Sequence, residues 1–236
     1  YPHDWRTKKP VIFRATTQWF ASISPFRDQI LDQIDKAEFI PSWGKTRLYN
    51  MIKDRGDWVI SRQRAWGVPL PIFYAEDGTP IVTPETIENI AKIFEKEGSN
   101  AWYTHPAKEL LPDGFTSEHS PNGEFTKEKD ILDVWFDSGS MPYAQIHYPF
   151  ENRELIDERK AFPADFINEG VDQTRGWFFT LHAIATMVFD SVAFKNVISS
   201  GLVLDAKGDK MSKHKGNVVN PFEQIEKYGA DPVRFY

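Results

Sequence analysis

The sequence contains no cysteine, which excludes disulfides and every zinc site built on thiolates. No apolar run comes near the roughly eighteen residues that a membrane-spanning helix requires. The first residues, YPHDWRTKKP, lack the apolar stretch of a secretory signal, so the cytoplasm is the expected location. An excess of positive charge is missing too. Against 28 Lys and Arg stand 34 Asp and Glu, for a formal net charge of −6, the opposite of a dedicated nucleic-acid-binding module. Repeats and low-complexity segments are absent. What the chain has is 236 residues, 41% hydrophobic and 14% aromatic, enough for a sizeable core in one or two domains.

Element signals run along the whole chain. Val11-Ile12-Phe13 reads as a strand, and QWFASISPFRDQILDQI as a helix. A further helix is expected within residues 42–58, ending near Gly56. Asp77-Gly78 is a hairpin signal between Ile72–Tyr74 and Pro80–Val82. Thr83 as N-cap, Pro84 at the first helical position and Gly98 as the stop bound the clearest helix. Residues 99–128 read as an irregular insertion. Beyond them a strand at Asp165–Asn168, a long apolar helix at Asp172–Phe189 and a strand at Val197–Ser200 form a βαβ pattern, which predicts a parallel sheet. A third strand is expected at Leu202–Asp205, and a helix capped by Asn220 with Pro221 and Glu223 in its first turn.

Four stretches concentrate unusual residues: SRQRAWG (61–67), DVWFDSGS (133–140), EGVDQTRGWF (169–178) and DKMSKHKGN (209–217). The last, with Lys207 just before it, places Lys207, Lys210, Lys213 and Lys215 within nine residues of an acidic chain. Either this is a solvated surface loop, or it is a mobile loop that brings ammonium groups to a phosphate. Glu169-Gly170 ends a strand where a ligand can approach backbone, because glycine has no Cβ. Asp172 and Gln173 open the following helix, at the end whose N–H groups favour anions. An aspartate there suits ribose hydroxyls and a glutamine a carboxylate, while the plain alternative makes Asp172 an N-cap. Asp133 and Asp137 flank an aromatic pair. With no further ligand at metal spacing, a strand-to-loop segment in which Asp137 shapes a pocket wall is the safer reading.

Taken together and in this order, the four stretches resemble the catalytic domain of class I aminoacyl-tRNA synthetases, and within that family the isoleucyl branch more than the valyl or leucyl. The resemblance covers essentially the whole chain. It implies a Rossmann-like α/β fold with a parallel sheet, of which this chain is the second half, plus a mixed α+β connective insertion. It implies activation of isoleucine by ATP to an adenylate, with Mg2+ accompanying ATP, and transfer to tRNA(Ile). By the match, Lys210 and Lys213 neutralise the phosphates in catalysis. Glu169, Gly170, Asp172, Gln173 and Lys213 bind ATP or adenylate, with Asp172 on the ribose and Gln173 near the amino-acid carboxyl. Trp66, Trp177 and Asp137 belong to the amino-acid pocket.

The match is incomplete. None of the six histidines stands in the H-x-G-H motif that the family carries early in the nucleotide fold. The expected divisions are 1–60, a catalytic segment following the editing insertion; 61–130, the connective insertion; and 131–236, the half-fold with the lysine loop. No zinc is expected near residues 113–123, where His119 stands without a thiol. The isolated chain is expected to be inactive and prone to self-association through an unpaired strand edge. The competing readings are a non-catalytic nucleotide-binding half-fold and a valyl or leucyl enzyme fragment.

Overall fold

The protein is described by a computed structural model covering residues 1–4 and 6–236. In chain order its elements are β1 (Phe20–Ala21), α1 (Arg27–Ile34), β2 (Glu38–Ile40), α2 (Trp43–Lys53), β3 (Trp58–Val59) and β4 (Ser61–Arg62). Next come β5 (Phe73–Tyr74), β6 (Pro80–Ile81), α3 (Pro84–Glu97), α4 (Ala101–Thr104), α5 (Ala107–Leu110), β7 (Thr126–Lys127) and β8 (Ile131–Leu132). The remainder is α6 (Val134–Ala144), α7 (Arg153–Asp157), β9 (Ala164–Gly170), α8 (Trp177–Phe189), β10 (Phe194–Ser200), α9 (Pro221–Tyr228) and α10 (Ala230–Phe235). Two compact units result, each assembled from separated stretches: residues 1–25 with 56–141, and residues 26–55 with 142–236.

The first unit carries small antiparallel ladders. β5 lies between β6 and β7, with Phe73 opposite both Ile81 and Lys127. The Asp77-Gly78 turn closes β5 onto β6 as predicted, and Gly78 adopts φ 85° there, where a Cβ would be strained. Helix α3 has the predicted ends: Thr83 Oγ1 accepts from Thr86 N at 3.2 Å, Pro84 follows it, and Gly98 closes the helix. Its apolar stripe helps bury a cluster of Phe73, Ile81, Ile90, Trp102 and Leu110. The 99–128 stretch is more regular than predicted, holding two short helices and a strand.

The second unit is a three-stranded parallel sheet in the order β2-β10-β9. Strand β9, the crossover helix α8 and strand β10 form the predicted βαβ unit. Phe178, Phe179, Leu181, Phe194 and Val197 are all buried, and helices α1 and α2 pack with α8. His182 of α8 is fully buried, its Nε2 donating to the Ile30 carbonyl at 2.9 Å.

Several expected elements differ. Val11–Phe13 is no strand; the chain pairs just before it, in a single antiparallel bridge between His3 and Pro10. The helix expected from Gln18 begins only at Arg27: Phe20–Ala21 pairs with Val59 and Trp58 as β1. Pro25, lacking an N–H, is tolerated only in a first turn, here the short 3-10 turn Ser24–Phe26. The helix expected from Asp172 is likewise split. A 3-10 turn spans Val171–Arg175, and the α-helix starts after Gly176. Leu202–Asp205 makes a single bridge, Leu204 with Lys210, in place of a third strand. DVWFDSGS is not strand-to-loop but the start of helix α6. The cause is Asp133, whose Oδ1 accepts from Trp135 N at 3.2 Å in the manner of an N-cap.

Candidate functional site

Strands β9 and β10 are neighbours and run parallel, with Ser199 opposite Glu169 and Ser200 opposite Gly170. Their carboxyl ends therefore release two segments side by side: the EGVDQTRGWF turn from β9, and the Gly201–Asn217 segment with its lysines from β10. That end of a parallel sheet is where such folds bind ligands.

The turn after β9 is tight. A Cβ on Gly170 would stand 2.8 Å from Asp172 Oδ1, so glycine leaves room for the Asp172 carboxylate itself. Asp172 is exposed and does not cap the helix. That work falls to Gln173, whose Oε1 accepts from Trp177 N at 3.0 Å. This fixes the amide so that its Nε2 is the end left to donate. Glu169 is exposed, with Oε2 accepting from Gly170 N at 3.2 Å. Trp177 is half-buried at the first position of α8.

The lysine segment has an internal frame. Asp205 Oδ1 accepts from Lys207 N and Asp209 N, both at 2.9 Å, and Oδ2 accepts from Asn217 Nδ2 at 2.8 Å. Asn217 Oδ1 in turn accepts from Ser212 N at 2.9 Å. The Asn217 amide and the two backbone N–H groups hold the Asp205 carboxyl below the usual carboxylate range. Gly208 and Gly216 take φ 81° and 69° at the two bends. Lys215 pairs with Asp209 at 3.6 Å, whereas Lys210 and Lys213 are exposed and pair with no carboxylate among the described residues. Sequence reasoning missed Asp205 and Asn217. The available signal was Asp205-x-x-Gly208, an aspartate and a glycine at the ends of a type I turn.

The remaining predicted positions lie in the other unit. Trp66 is 87% exposed in the loop after β4. Asp137 is in the first turn of α6, and its carboxyl is pushed up to about 6 by burial and then by the charge of Asp133. Asp133 is structural. Its Oδ2 accepts from Trp58 Nε1 at 2.8 Å and from Arg62 Nη2 at 2.9 Å, tying SRQR to DVWF. His119, in the stretch where no zinc is expected, has Nδ1 2.8 Å from Asp77 Oδ2.

The model for the family described as tRNA synthetases class I (I, L, M and V) matches residues 4–236. The chain belongs to that family. Among curated relatives, isoleucine–tRNA ligase from Lactobacillus helveticus is 72% identical over all 236 residues, and that from Lactobacillus acidophilus 70%. In both cases the chain spans 25% of the relative's length. Among solved structures, Mycobacterium tuberculosis methionyl-tRNA synthetase in complex with methionyl-adenylate superposes with a TM-score of 0.58 at 20% identity. It covers 99% of this chain and 35% of that one. This likeness shows the fold: the parallel sheet is part of a Rossmann-like class I catalytic domain.

Proposed function

We propose that the chain serves, within a longer protein, the activation of isoleucine by ATP and the transfer of the isoleucyl group to tRNA(Ile). The observation that carries this reading is the pairing of β9 with β10. It brings the exposed Asp172 carboxylate and two ammoniums, Lys210 and Lys213, that pair with no carboxylate among the described residues, to segments leaving one end of one sheet. The relatives' name, isoleucine–tRNA ligase, supplies the amino acid.

In the proposed reaction an oxygen of the isoleucine carboxylate attacks the α-phosphorus of ATP. The bond from that phosphorus to the bridging oxygen breaks, and pyrophosphate leaves with the electron pair. Lys210 and Lys213 stabilise charge on the phosphates as it grows, and such positioning is most of what phosphoryl chemistry asks of a protein. Asp172 accepts from the ribose hydroxyls, Gln173 Nε2 donates to the amino-acid carboxyl, and Glu169-Gly170 lies along the adenylate. Trp177, beside Gln173 at the start of α8, belongs to the amino-acid pocket. Mg2+ comes as part of the nucleotide substrate. Among the described residues no three His, Asp or Glu gather in a group that could hold a metal ion.

Residues 61–130 act as the connective insertion, and the cytoplasm is the working compartment. By itself the chain is a non-catalytic half-site, a reading favoured by the missing H-x-G-H. Isoleucine-dependent exchange of pyrophosphate into ATP tests both statements. The longer protein should exchange with isoleucine well above leucine, and this chain should not exchange. A longer protein that prefers valine or leucine, or an active isolated chain, would refute the corresponding statement.

A further inference from the structure

The acidic chain carries one segment of opposite character. Residues 6–14 hold Arg6, Lys8, Lys9 and Arg14 and no acid. The single acid within the first fourteen residues, Asp4, is turned onto the backbone, accepting from Arg6 N at 3.1 Å and Thr7 N at 2.6 Å. Backbone bonds then close the segment into a strap: Lys8 N to Asp4 O, Asp4 N to Lys9 O, and Val11 N to Pro2 O. Lys8 takes φ 58° at its bend, a conformation that a non-glycine residue holds only where surroundings impose it.

The strap displays rings. Tyr1 is 77% exposed and Phe13 79% exposed, yet they are ordered against each other, edge to face with centroids 6.2 Å apart. The Tyr1 hydroxyl donates to the Val11 carbonyl at 2.7 Å and His3 stands edge-on to Tyr1. Ile12 is 84% exposed beside them. Fixed aromatic faces interleaved with cations are what single-stranded nucleic acid requires. Bases stack on the rings, and phosphates between them meet the charges.

We propose that the strap formed by residues 1–4 and 6–14 binds single-stranded RNA, with bases stacked on Phe13 and Tyr1 and phosphates on Lys9 and Arg14. Charge complementarity selects the partner. The carboxylates of Glu128 and Asp130, which line a polar cleft with Arg14, limit the phosphate track to the strap itself. The proposal rests on the functional reading above only in choosing RNA as the polyanion.

The test is fluorescence anisotropy of the chain with a labelled single-stranded RNA of about twelve nucleotides, titrated at several salt concentrations. Lys9→Ala with Arg14→Ala should flatten the log–log salt slope by about 1.4, at roughly 0.7 per phosphate contact on a single strand. Phe13→Ala should weaken binding roughly fivefold to a hundredfold, the loss of one stacked base. Lys96→Ala with Lys108→Ala, the same charge change on exposed helix positions, should leave affinity unaltered, and circular dichroism of each variant should match the parent. The proposal is overturned if the parent binds no RNA, if the strap variants bind as the parent does, or if the helix variants lose as much. Displacement by polyglutamate as effective as by unlabelled RNA would also overturn it. Binding here without pyrophosphate exchange in the longer protein sinks the enzymatic reading alone; the reverse sinks the strap alone.

Discussion

The Asn217 side chain donates to Asp205 Oδ2 at 2.8 Å while its own carbonyl oxygen accepts from Ser212 N at 2.9 Å. One amide thus joins the entry of the lysine loop to its middle and its exit. The loop is a framed turn whose base is fixed and whose ammoniums are presented from it.

Asn217→Ala should open that base without unfolding the protein. Trypsin should cut at Lys207–Lys215 several times faster, while the thermal midpoint moves little, since the lost bonds are near the surface and each contributes about 1 kcal/mol. Unchanged cleavage kinetics would show that the loop keeps its shape by other means.

Lys213→Ala in the longer protein should lower the adenylation rate constant by the equivalent of roughly 2 to 4 kcal/mol, with little change in isoleucine affinity. Single-turnover kinetics separate the two. A rise confined to the Michaelis constant for ATP would place Lys213 in ground-state binding only.

With Trp177 in the proposed role of a pocket wall, Trp177→Ala should reduce isoleucine affinity and narrow its advantage over smaller and larger aliphatic amino acids. Equal losses for every amino acid would mark Trp177 as ordinary packing.

His182 should make the fold sensitive to acid. Burial drops its folded pKa to about 4 against an ordinary 6.5, although the Ile30 carbonyl works the other way. The unfolded chain therefore binds the proton first. The stabilisation is whole above pH 6.5 and is lost as pH falls toward 4, to a total of about 3 kcal/mol. Denaturant titrations should show this decline in the parent and a shallower one in His182→Gln. Parallel declines in both proteins would remove His182 from the account.

Among the described residues no strand lies beside the outer edge of β9 in the sheet order β2-β10-β9, and Phe166 on that strand is 62% exposed. Self-association of the chain through this edge is expected. It should appear as an unfolding midpoint that rises with protein concentration and as a dimer in sedimentation. A midpoint independent of concentration would dismiss it.

The sequence was most legible where a local rule was also the final cause. Thr83, Pro84 and Gly98 bound α3, Asn220 and Pro221 start α9, and Asp77-Gly78 turns a hairpin, because caps and turns are decided within a few residues. The βαβ unit was legible for a similar reason, its apolar run being long and cleanly bounded. Reading failed where a distant partner decided. Phe20–Ala21 is a strand because Trp58 and Val59 pair with it, and DVWFDSGS is a helix start because Asp133 serves as cap while also holding Trp58 and Arg62. In the candidate site the charged and aromatic residues were visible as motifs. The frame beneath them, Asp205 and Asn217, looked like ordinary loop polarity.

Strand β2 at residues 38–40 pairs with β10 at residues 196–198, and each compact unit is stitched from stretches far apart in the chain. During synthesis β2 therefore waits for its neighbour through roughly 150 further residues, about eight to thirty seconds at ordinary ribosomal speed. Throughout that wait helices α1 and α2 lack the strand and the α8 helix that complete their core. The nascent chain passes through a long window in which apolar surface is uncovered and open to aggregation before the sheet can close.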